Sequence, residues 1–469
     1  MGLHKRDRQR QIRVQSESIV SVDDRKVLPR RMFDDADSHA AKIMGCSNTD
    51  LPEDIWCHIH SLLPMRDAAR VACLSRSFLR SWRCHPVLTL SRKILASKTK
   101  ARPGEFICKI DRILSNHSGI GIKIFNLRLI GIFDACPYLD TWLQIAVKPG
   151  IEELTLELCG RCKIKYNVPC SLLSDGVQNS IRYLRLFMCA FRPTAELGPL
   201  RNLTSLSLYF VCVTGKELEC FLSNSPTLEQ LDIKECNEIV CLKIPCVLQK
   251  LSSVKISSCF RLRVIESKAQ NLSSFYAMGH RVENISLGET LQMKNFGTHR
   301  TDLVYYARTE LPACMPNLKA LAISSGYERV NTPMLPTKFM FLKCLTIYLA
   351  SVGSFCPSYD YFSLASFLDA SPALETLTLD MPDHHHGCLK TVKITGFSSA
   401  KGLVELTCYI LKNAESLECL TLDTLCGTNR EAPRAVAAIR VYIEDKVPAT
   451  VKLTVLKPCR RCHANGGFK

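Results

Sequence analysis

A short cadence, apolar-x-x-apolar-x-apolar, returns from Ile151 onward and constrains this chain more than any other feature. It reads Ile151-x-x-Leu154-x-Leu156, Ile181-x-x-Leu184-x-Leu186, Leu203-x-x-Leu206-x-Leu208, Leu228-x-x-Leu231-x-Ile233 and Leu251-x-x-Val254-x-Ile256. It resumes as Leu318-x-x-Leu321-x-Ile323, Leu342-x-x-Leu345-x-Ile347, Leu374-x-x-Leu377-x-Leu379, Leu389-x-x-Val392-x-Ile394 and Leu417-x-x-Leu420-x-Leu422. In an extended strand the last two apolar residues of each copy share one side, and the residue between them faces the other. A strand that keeps returning buries its apolar side by stacking on its neighbours, so the copies predict a repeat architecture.

Three residues past the last anchor of four copies stands Cys159, Cys189, Cys236 or Cys259. On that offset and cadence, residues 151–387 resemble a leucine-rich repeat, whose pattern places Asn or Cys in the turn leaving each strand. Those four thiols are then expected to be structural. A longer match supports the reading: Leu218-x-x-Phe221-Leu222-x-x-Ser225-Pro226-x-Leu228 recurs spacing for spacing as Leu364-x-x-Phe367-Leu368-x-x-Ser371-Pro372-x-Leu374. It predicts a helix on the convex side, stopped at Ser-Pro, then a strand on the concave side. The cadence weakens between about 260 and 315, where Leu272-x-x-Phe275 and Val282-x-x-Ile285 lie close together; an insertion or a distorted turn is expected there.

Because the anchors are committed to the core, recognition falls to the residues between them: Thr155, Arg185, Ser207, Asp232, Lys255, Ala322, Thr346, Thr378, Lys393 and Thr421. Of these, Arg185, Asp232, Lys255 and Lys393 are the nominated target-binding residues, since a charged side chain offers a partner most discrimination.

A second constraining stretch runs from Asp50 to Ser91. Pro52 suits a first helical turn, and Glu53 with Asp54 complements the positive end of a helix. Ile55, Ile59 and Leu62 share a face until Pro64 ends it. Asp67 is expected to start a second short helix with Ala68, Val71, Ala72 and Leu74 inward. A third segment carries Phe78, Leu79 and Trp82 before Pro86. So small a unit needs a neighbouring domain or a partner for its apolar residues. With its Leu51-Pro52 start, Leu62-Leu63-Pro64 break, Arg66-Asp67-Ala68-Ala69 turn, Leu74-Ser75-Arg76 and Trp82, it resembles an F-box. The resemblance implies docking to the Skp-type adaptor of an SCF ubiquitin ligase through Leu51, Pro52, Ile55, Ile59, Leu62, Leu63 and Pro64. Residues 388–423, with a strand, the Gly396-Phe397 turn, a helix near Leu403–Leu411 and a closing strand at Leu417-Glu418, resemble the FBD region of plant F-box proteins.

A charge of +17 on 469 residues is compatible with acidic partners, but no long like-charge run occurs, so dispersion over solvated faces is favoured and nucleic acid disfavoured. The charged start lacks the apolar stretch of a secretory signal, and no run of about eighteen apolar residues suggests a membrane span. The 25 Cys are therefore expected to be reduced thiols. His384-His385-His386 with Cys388 has ligand chemistry for zinc, but adjacent loop histidines diverge. Cys159-x-x-Cys162 and Cys459-x-x-Cys462-His463 have metal-type spacing, yet the first overlaps a repeat turn and the two lie far apart in sequence. No phosphate-loop, HExxH or GxSxG motif is present.

The expected fold class is α/β: a small three-helix F-box followed by an irregular leucine-rich-repeat solenoid with a C-terminal cap. The expected order is a charged tail at 1–47, the F-box at 48–91, a linker and N-terminal cap at 92–150, repeats at 151–387, FBD-like repeats at 388–425 and a C-terminal segment at 426–469. The expected function, carried by the resemblance, is substrate recognition for an SCF-type ubiquitin ligase, with a Skp-type adaptor and cullin complex on one side and an unidentified target protein on the other. It calls for no catalytic residue, metal, cofactor or membrane, and for action in the nucleus or cytoplasm. The alternative is a basic repeat protein that binds nucleic acid or an acidic protein without ubiquitin transfer.

Overall fold

The computed structural model describes residues 52–95, 103–119, 121–132, 135–158, 165–174, 176–279, 282–328, 330–349, 361–379, 390–399, 401–414, 416–424 and 431–457. The tail expected at 1–47 and Leu51 lie outside them.

The repeat cadence becomes a single 15-stranded sheet in which successive strands are parallel neighbours. The pairing keeps one register throughout. Leu156, Leu186, Leu208, Ile233 and Ile256 therefore form one buried row, and Leu154, Leu184, Leu206, Leu231 and Val254 another. Burying one such side chain contributes roughly 1.5–3 kcal/mol, so the rows supply the main apolar stabilisation of the sheet. The residue between anchors faces away from them. Asn126, Thr155, Arg185, Ser207, Asp232, Lys255, Tyr276, Gly297, Ala322, Thr346, Thr378, Lys393 and Thr421 stand side by side across the open face of the sheet.

The other face of the rows is covered mainly by helices. The helix Gly215–Ser223 is fixed at its start by a reciprocal cap, with Thr214 accepting from the Glu217 N–H and Glu217 accepting from the Thr214 N–H. Gly215 is required there, because a Cβ would sit 2.0 Å from the Cys241 carbonyl oxygen. Its partner in the internal match forms the helix Ala365–Ala370, and Ser225 and Ser371 are buried at the two helix ends.

Among the described residues of 260–315 the main sheet continues without an insertion or a break. The strands Ser274–Met278 and Asn295–His299 continue the ladder. In this stretch the covering layer is itself a parallel sheet, made of Cys241–Ile244, Val264–Ser267 and Asn284–Ser286. The two close-set sequence matches are thus the two strands of one repeat, Phe275 on the main sheet and Ile285 on the covering one. The cadence fades because the third anchors here are Ala277 and Thr298 in place of large aliphatics.

The ladder also extends past both ends of the cadence. Its first rungs are Val87–Ser91 and Ile124–Arg128, and its last is Lys452–Leu456. It therefore runs without interruption across the positions 92, 151, 388 and 426 at which segments were divided from sequence. The strand Thr391–Thr395, the left-handed Gly396, the helix Lys401–Asn413 and the strand Cys419–Asp423 occur in the FBD-like order. A further helix, Glu431–Tyr442, and the final strand follow them.

Four consecutive rungs, the strands ending at Phe187, Tyr209, Lys234 and Ser257, leave the sheet through the same turn. Met188, Phe210, Glu235 and Ser258 adopt φ of 54–57°, a conformation that costs non-glycine residues about 1–2 kcal/mol. Each also donates its N–H to the last strand carbonyl of the next repeat, at 2.8–3.1 Å. The residue that follows is turned inward: Cys189, Val211, Cys236 and Cys259. Burial pushes the Cys189 and Cys236 thiols up to about 12 and that of Cys259 to about 11. Cys159 lies outside the described residues. On brief treatment of the native chain with iodoacetamide, Cys189, Cys236 and Cys259 should stay unmodified while the exposed Cys73, Cys246 and Cys314 are alkylated. Mass spectrometry of the digest reads this, and equal labelling of both sets would contradict the turn geometry.

Candidate functional site

The nominated side chains fall on two surfaces. The first is on the N-terminal helices α1 (Glu53–Ser61), α2 (Met65–Val71) and α3 (Arg76–Arg83). Pro52 stands just before α1 in extended conformation, and Glu53 and Asp54 fill the first turn. Pro64 both ends the α1 segment and precedes α2, which starts at Met65 rather than at Asp67. A proline needs no N–H partner and its fixed φ suits a helix start, so one residue serves both purposes. Ser75 caps α3, its hydroxyl accepting from the Phe78 N–H at 3.1 Å.

These helices are tied to the first rung of the sheet. Met65 and Ala68 are buried, the Thr89 N–H meets Met65 Sδ at 3.3 Å, and His85 Nε2 lies 3.3 Å from the Leu63 carbonyl. His117 Nε2 lies 3.1 Å from the His85 carbonyl, and the Ser118 N–H donates to that of Arg83 at 2.8 Å.

What the attachment leaves outside is apolar. Ile55 is 41% exposed, Ile59 37%, Leu62 71%, Leu74 75% and Leu79 39%. Pro52 and Pro64 are exposed and Leu63 is half-buried. Leu74, expected to face inward, points to solvent instead, because α2 ends at Val71 and Leu74 lies in the turn before Ser75. Sequence reasoning therefore missed Leu74 and Leu79 as members of this surface. The ordered Leu-Ser-Arg motif was the available signal.

The helices enclose one polar oddity. His60 is 1% exposed, packs against Phe78 at 5.2 Å, and neither ring nitrogen has a hydrogen-bond partner among the described residues. Burial holds its pKa below the ordinary 6.5, and the facing His85 lowers it further. Burial likewise lowers His117.

The second surface lies on the open face of the sheet. The register row brings Arg185, Asp232 and Lys255 within one short span, with Ser207 between the first two. Lys393 is on the same row but six strands beyond Lys255, about 29 Å away at roughly 4.8 Å per strand. A groove of about 400 Å³ runs among the first group, lined by Phe187, Tyr209, Phe210, Tyr276 and Met278 with Asp232, Lys234 and Lys255.

Its aromatic wall is organised. The Tyr209 hydroxyl donates to Asp232 Oδ2 at 2.5 Å, the Arg185 guanidinium lies over the Tyr209 ring at 5.6 Å, and Phe187 and Phe210 meet edge to face at 5.4 Å. Burial, with the Asp232 hydrogen bond behind it, raises the Tyr209 pKa, so the phenol stays protonated as donor. Tyr276 lies across Gly297, where a Cβ would be 2.4 Å from its ring. Asp232 is held by Tyr209, and Lys234 and Lys255 on the same lining outweigh its charge, so the groove is net positive. Tyr209, Lys234 and Tyr276 were missed from sequence. Tyr276 sits in the faded part of the cadence, and the other two follow the third anchor, two residues beyond the row between the anchors.

Two more buried charges serve the fold. Glu328 accepts from the Val304 N–H at 2.7 Å at the start of the helix Leu303–Thr309. Arg308 is spent on Ser366, Thr337 and the Leu335 carbonyl. Among the described residues, no group of three or more His, Cys, Asp or Glu is placed to hold a metal ion. His384–His386, Cys388, Cys162 and Cys459–His463 lie outside them.

Comparison with known proteins places both surfaces in matched regions. The family model of the At1g61320/AtMIF1 leucine-rich-repeat domain matches residues 113–382 and 379–460, and that of the F-box domain matches 49–89. The FBD-associated F-box protein At1g61320 of Arabidopsis thaliana is 25% identical over 453 residues, 86% of this chain and 94% of that one. A putative FBD-associated F-box protein of the same plant, At5g53635, is 26% identical over 71% of this chain and 79% of its own length. The F-box/FBD/LRR-repeat protein At1g13570 is 28% identical over 41% and 45%.

The His60 geometry gives a pH dependence with a definite sign. Well above pH 6.5 the ring is neutral in both folded and unfolded chains, and the full stability is present. As pH falls below that, the unfolded chain takes up protons that the folded one refuses, and stability declines. Thermal melts followed by tryptophan fluorescence should show a level midpoint from pH 7 to 8 and a decline from 6.5 to 5. His60→Leu should raise the midpoint at pH 7 and flatten the decline, since an unpaired buried polar group costs about 1–3 kcal/mol. An unchanged slope would contradict the assignment.

Proposed function

From the premise that the chain belongs to the At1g61320/AtMIF1 leucine-rich-repeat family, here with an F-box in front, we propose that it is the substrate receptor of an SCF-type ubiquitin ligase. The observation that carries this is the solvent-facing set Ile55, Ile59, Leu62, Leu74 and Leu79 on a unit whose other side is bonded to the first strand of the sheet. An apolar surface that the fold does not cover fits a protein partner, and a Skp-type adaptor joined to a cullin is the partner F-boxes imply. Pro52, Leu63 and Pro64 complete the docking surface, to which the F-box resemblance adds Leu51. The receptor performs no chemistry itself. It holds a target protein near the ubiquitin-charged enzyme, and that proximity raises the effective concentration of the target's lysines.

For the target side, the groove between Arg185 and Tyr276 is the favoured seat. Its aromatic floor and its Arg185, Lys234 and Lys255 rim suit a segment in which an acidic residue neighbours an apolar or aromatic one. Lys393 would contact only a target long enough to span several repeats. Aromatics beside cations also suit single-stranded nucleic acid, the second reading. It would show as a steep loss of affinity with added salt. Action would be in the nucleus or the cytoplasm, which a fluorescent fusion distinguishes.

Affinity capture of the full chain from proteasome-inhibited cells tests both surfaces at once. Leu62→Asp with Leu74→Asp changes two strongly exposed positions and should abolish adaptor capture while targets are retained. Buried apolar anchors at an interface commonly carry roughly 2 kcal/mol or more each. Arg185→Glu with Lys255→Glu should do the reverse. Capture of the same proteins by both variants would overturn the reading.

A further inference from the structure

The third-anchor row is apolar on every strand of the main sheet except one. From Leu90 through Leu127, Leu156, Leu186 and on to Val455 it holds aliphatic residues, and on Asn295–His299 it holds Thr298. The neighbour on one side is the small Ala277 and on the other Ile323. Two successive rungs therefore fill less of the interior than the rest. A chamber of about 230 Å³, partly open to solvent, lies beside Thr298, walled chiefly by Phe296, Leu303, Leu311 and Met315 with Tyr306.

Thr298 also lines it, is 4% exposed, and its hydroxyl has no hydrogen-bond partner among the described residues. Leaving such a group unpaired costs about 1–3 kcal/mol, which a valine of the same shape would avoid. Two residues on, Arg300 lines the same chamber, with its guanidinium over the Tyr306 ring at 4.9 Å. Thr298 near the end of the strand and Arg300 just beyond it thus both face this chamber. Arg300 is exposed, and no carboxylate among the described residues pairs with it. The chamber is thus apolar in body, with one waiting hydroxyl and one uncompensated positive charge. That is the usual make-up of small-ligand sites, in which a few polar groups orient a mainly apolar guest.

We propose that this chamber binds a small amphipathic anion: an apolar body of monocarboxylate size whose anionic head meets Arg300 and the Thr298 hydroxyl. The site is separate from the open-face groove and from the N-terminal helices, and it stands or falls independently of the ubiquitin-ligase reading.

Octanoate serves as probe, with 1-octanol as its neutral counterpart, titrated calorimetrically into the purified full-length chain. Octanoate should bind saturably at one site, and 1-octanol far more weakly. Arg300→Gln, at an exposed position, should weaken octanoate roughly tenfold or more, as expected for loss of a charge-assisted hydrogen bond, and leave 1-octanol unchanged. Thr298→Val should weaken octanoate while raising the melting temperature of the ligand-free chain. Absence of saturable octanoate binding, or equal affinity in the native chain and Arg300→Gln, would overturn the proposal. So would equal binding of octanoate and 1-octanol to the native chain.

Discussion

Constant register between parallel strands is the constraint on which the rest of this molecule depends. Each rung places its two anchors directly beside those of the next, as Leu154 and Leu156 stand beside Leu184 and Leu186. A slip of one residue would turn every anchor of that rung to solvent. The repeating left-handed turn guards against this, because the N–H of Met188, Phe210, Glu235 or Ser258 reaches the last carbonyl of the following strand only when the rungs are level. The local conformational cost is offset by that bond and by the burial of the next side chain. The same register aligns the residues between anchors, so side chains far apart in sequence become neighbours. Arg185, Asp232 and Lys255 are brought together with Tyr209 and Tyr276 for no other reason than this alignment.

The N-terminal helices exploit that order. Val87–Ser91 is the end of the F-box segment and also the first rung of the sheet. Met65, Leu63 and His85 fasten the helices to it, which leaves the opposite apolar side chains for a partner. A unit bonded into the first rung allows little play between the apolar surface proposed for the adaptor and the groove proposed for a target. A receptor acting through proximity benefits from such stiffness, since effective concentration falls as the connection loosens.

Much of this was legible in the sequence, and what was not has a physical cause. The strands and the alternation within them follow from spacing alone, as Leu228-x-x-Leu231-x-Ile233 demonstrates. The helix before Ser225 was readable because its Leu218, Phe221 and Leu222 fall on one face. The first two rungs are hard to see in the sequence because Val87–Ser91 falls within the helical unit and Ile124–Arg128 within the linker and N-terminal cap expected at 92–150. The covering strands near 241–286 escaped because a short apolar run such as Val264–Ser267 does not reveal which sheet it joins. Leu74 looked like a core residue by its period, and only the end of α2 at Val71 shows why it is exposed. The residues at the groove combine through register, which no single repeat displays. Tyr276 needed Gly297 on the adjacent strand to lie flat, a relation twenty-one residues apart in the chain.

The division of labour between the two surfaces is tested most directly by hydroxyl-radical footprinting of the full chain, alone and with purified Skp-type adaptor. Side-chain oxidation is read at Leu62, Leu74 and Leu79 on the helices and at Tyr209, Tyr276 and Met278 in the groove. The expected result is strong protection of the three leucines by the adaptor with no change in the groove, which stays free for a target. Protection of Tyr209, Tyr276 and Met278 by the adaptor, or undiminished oxidation of the leucines in its presence, would contradict it.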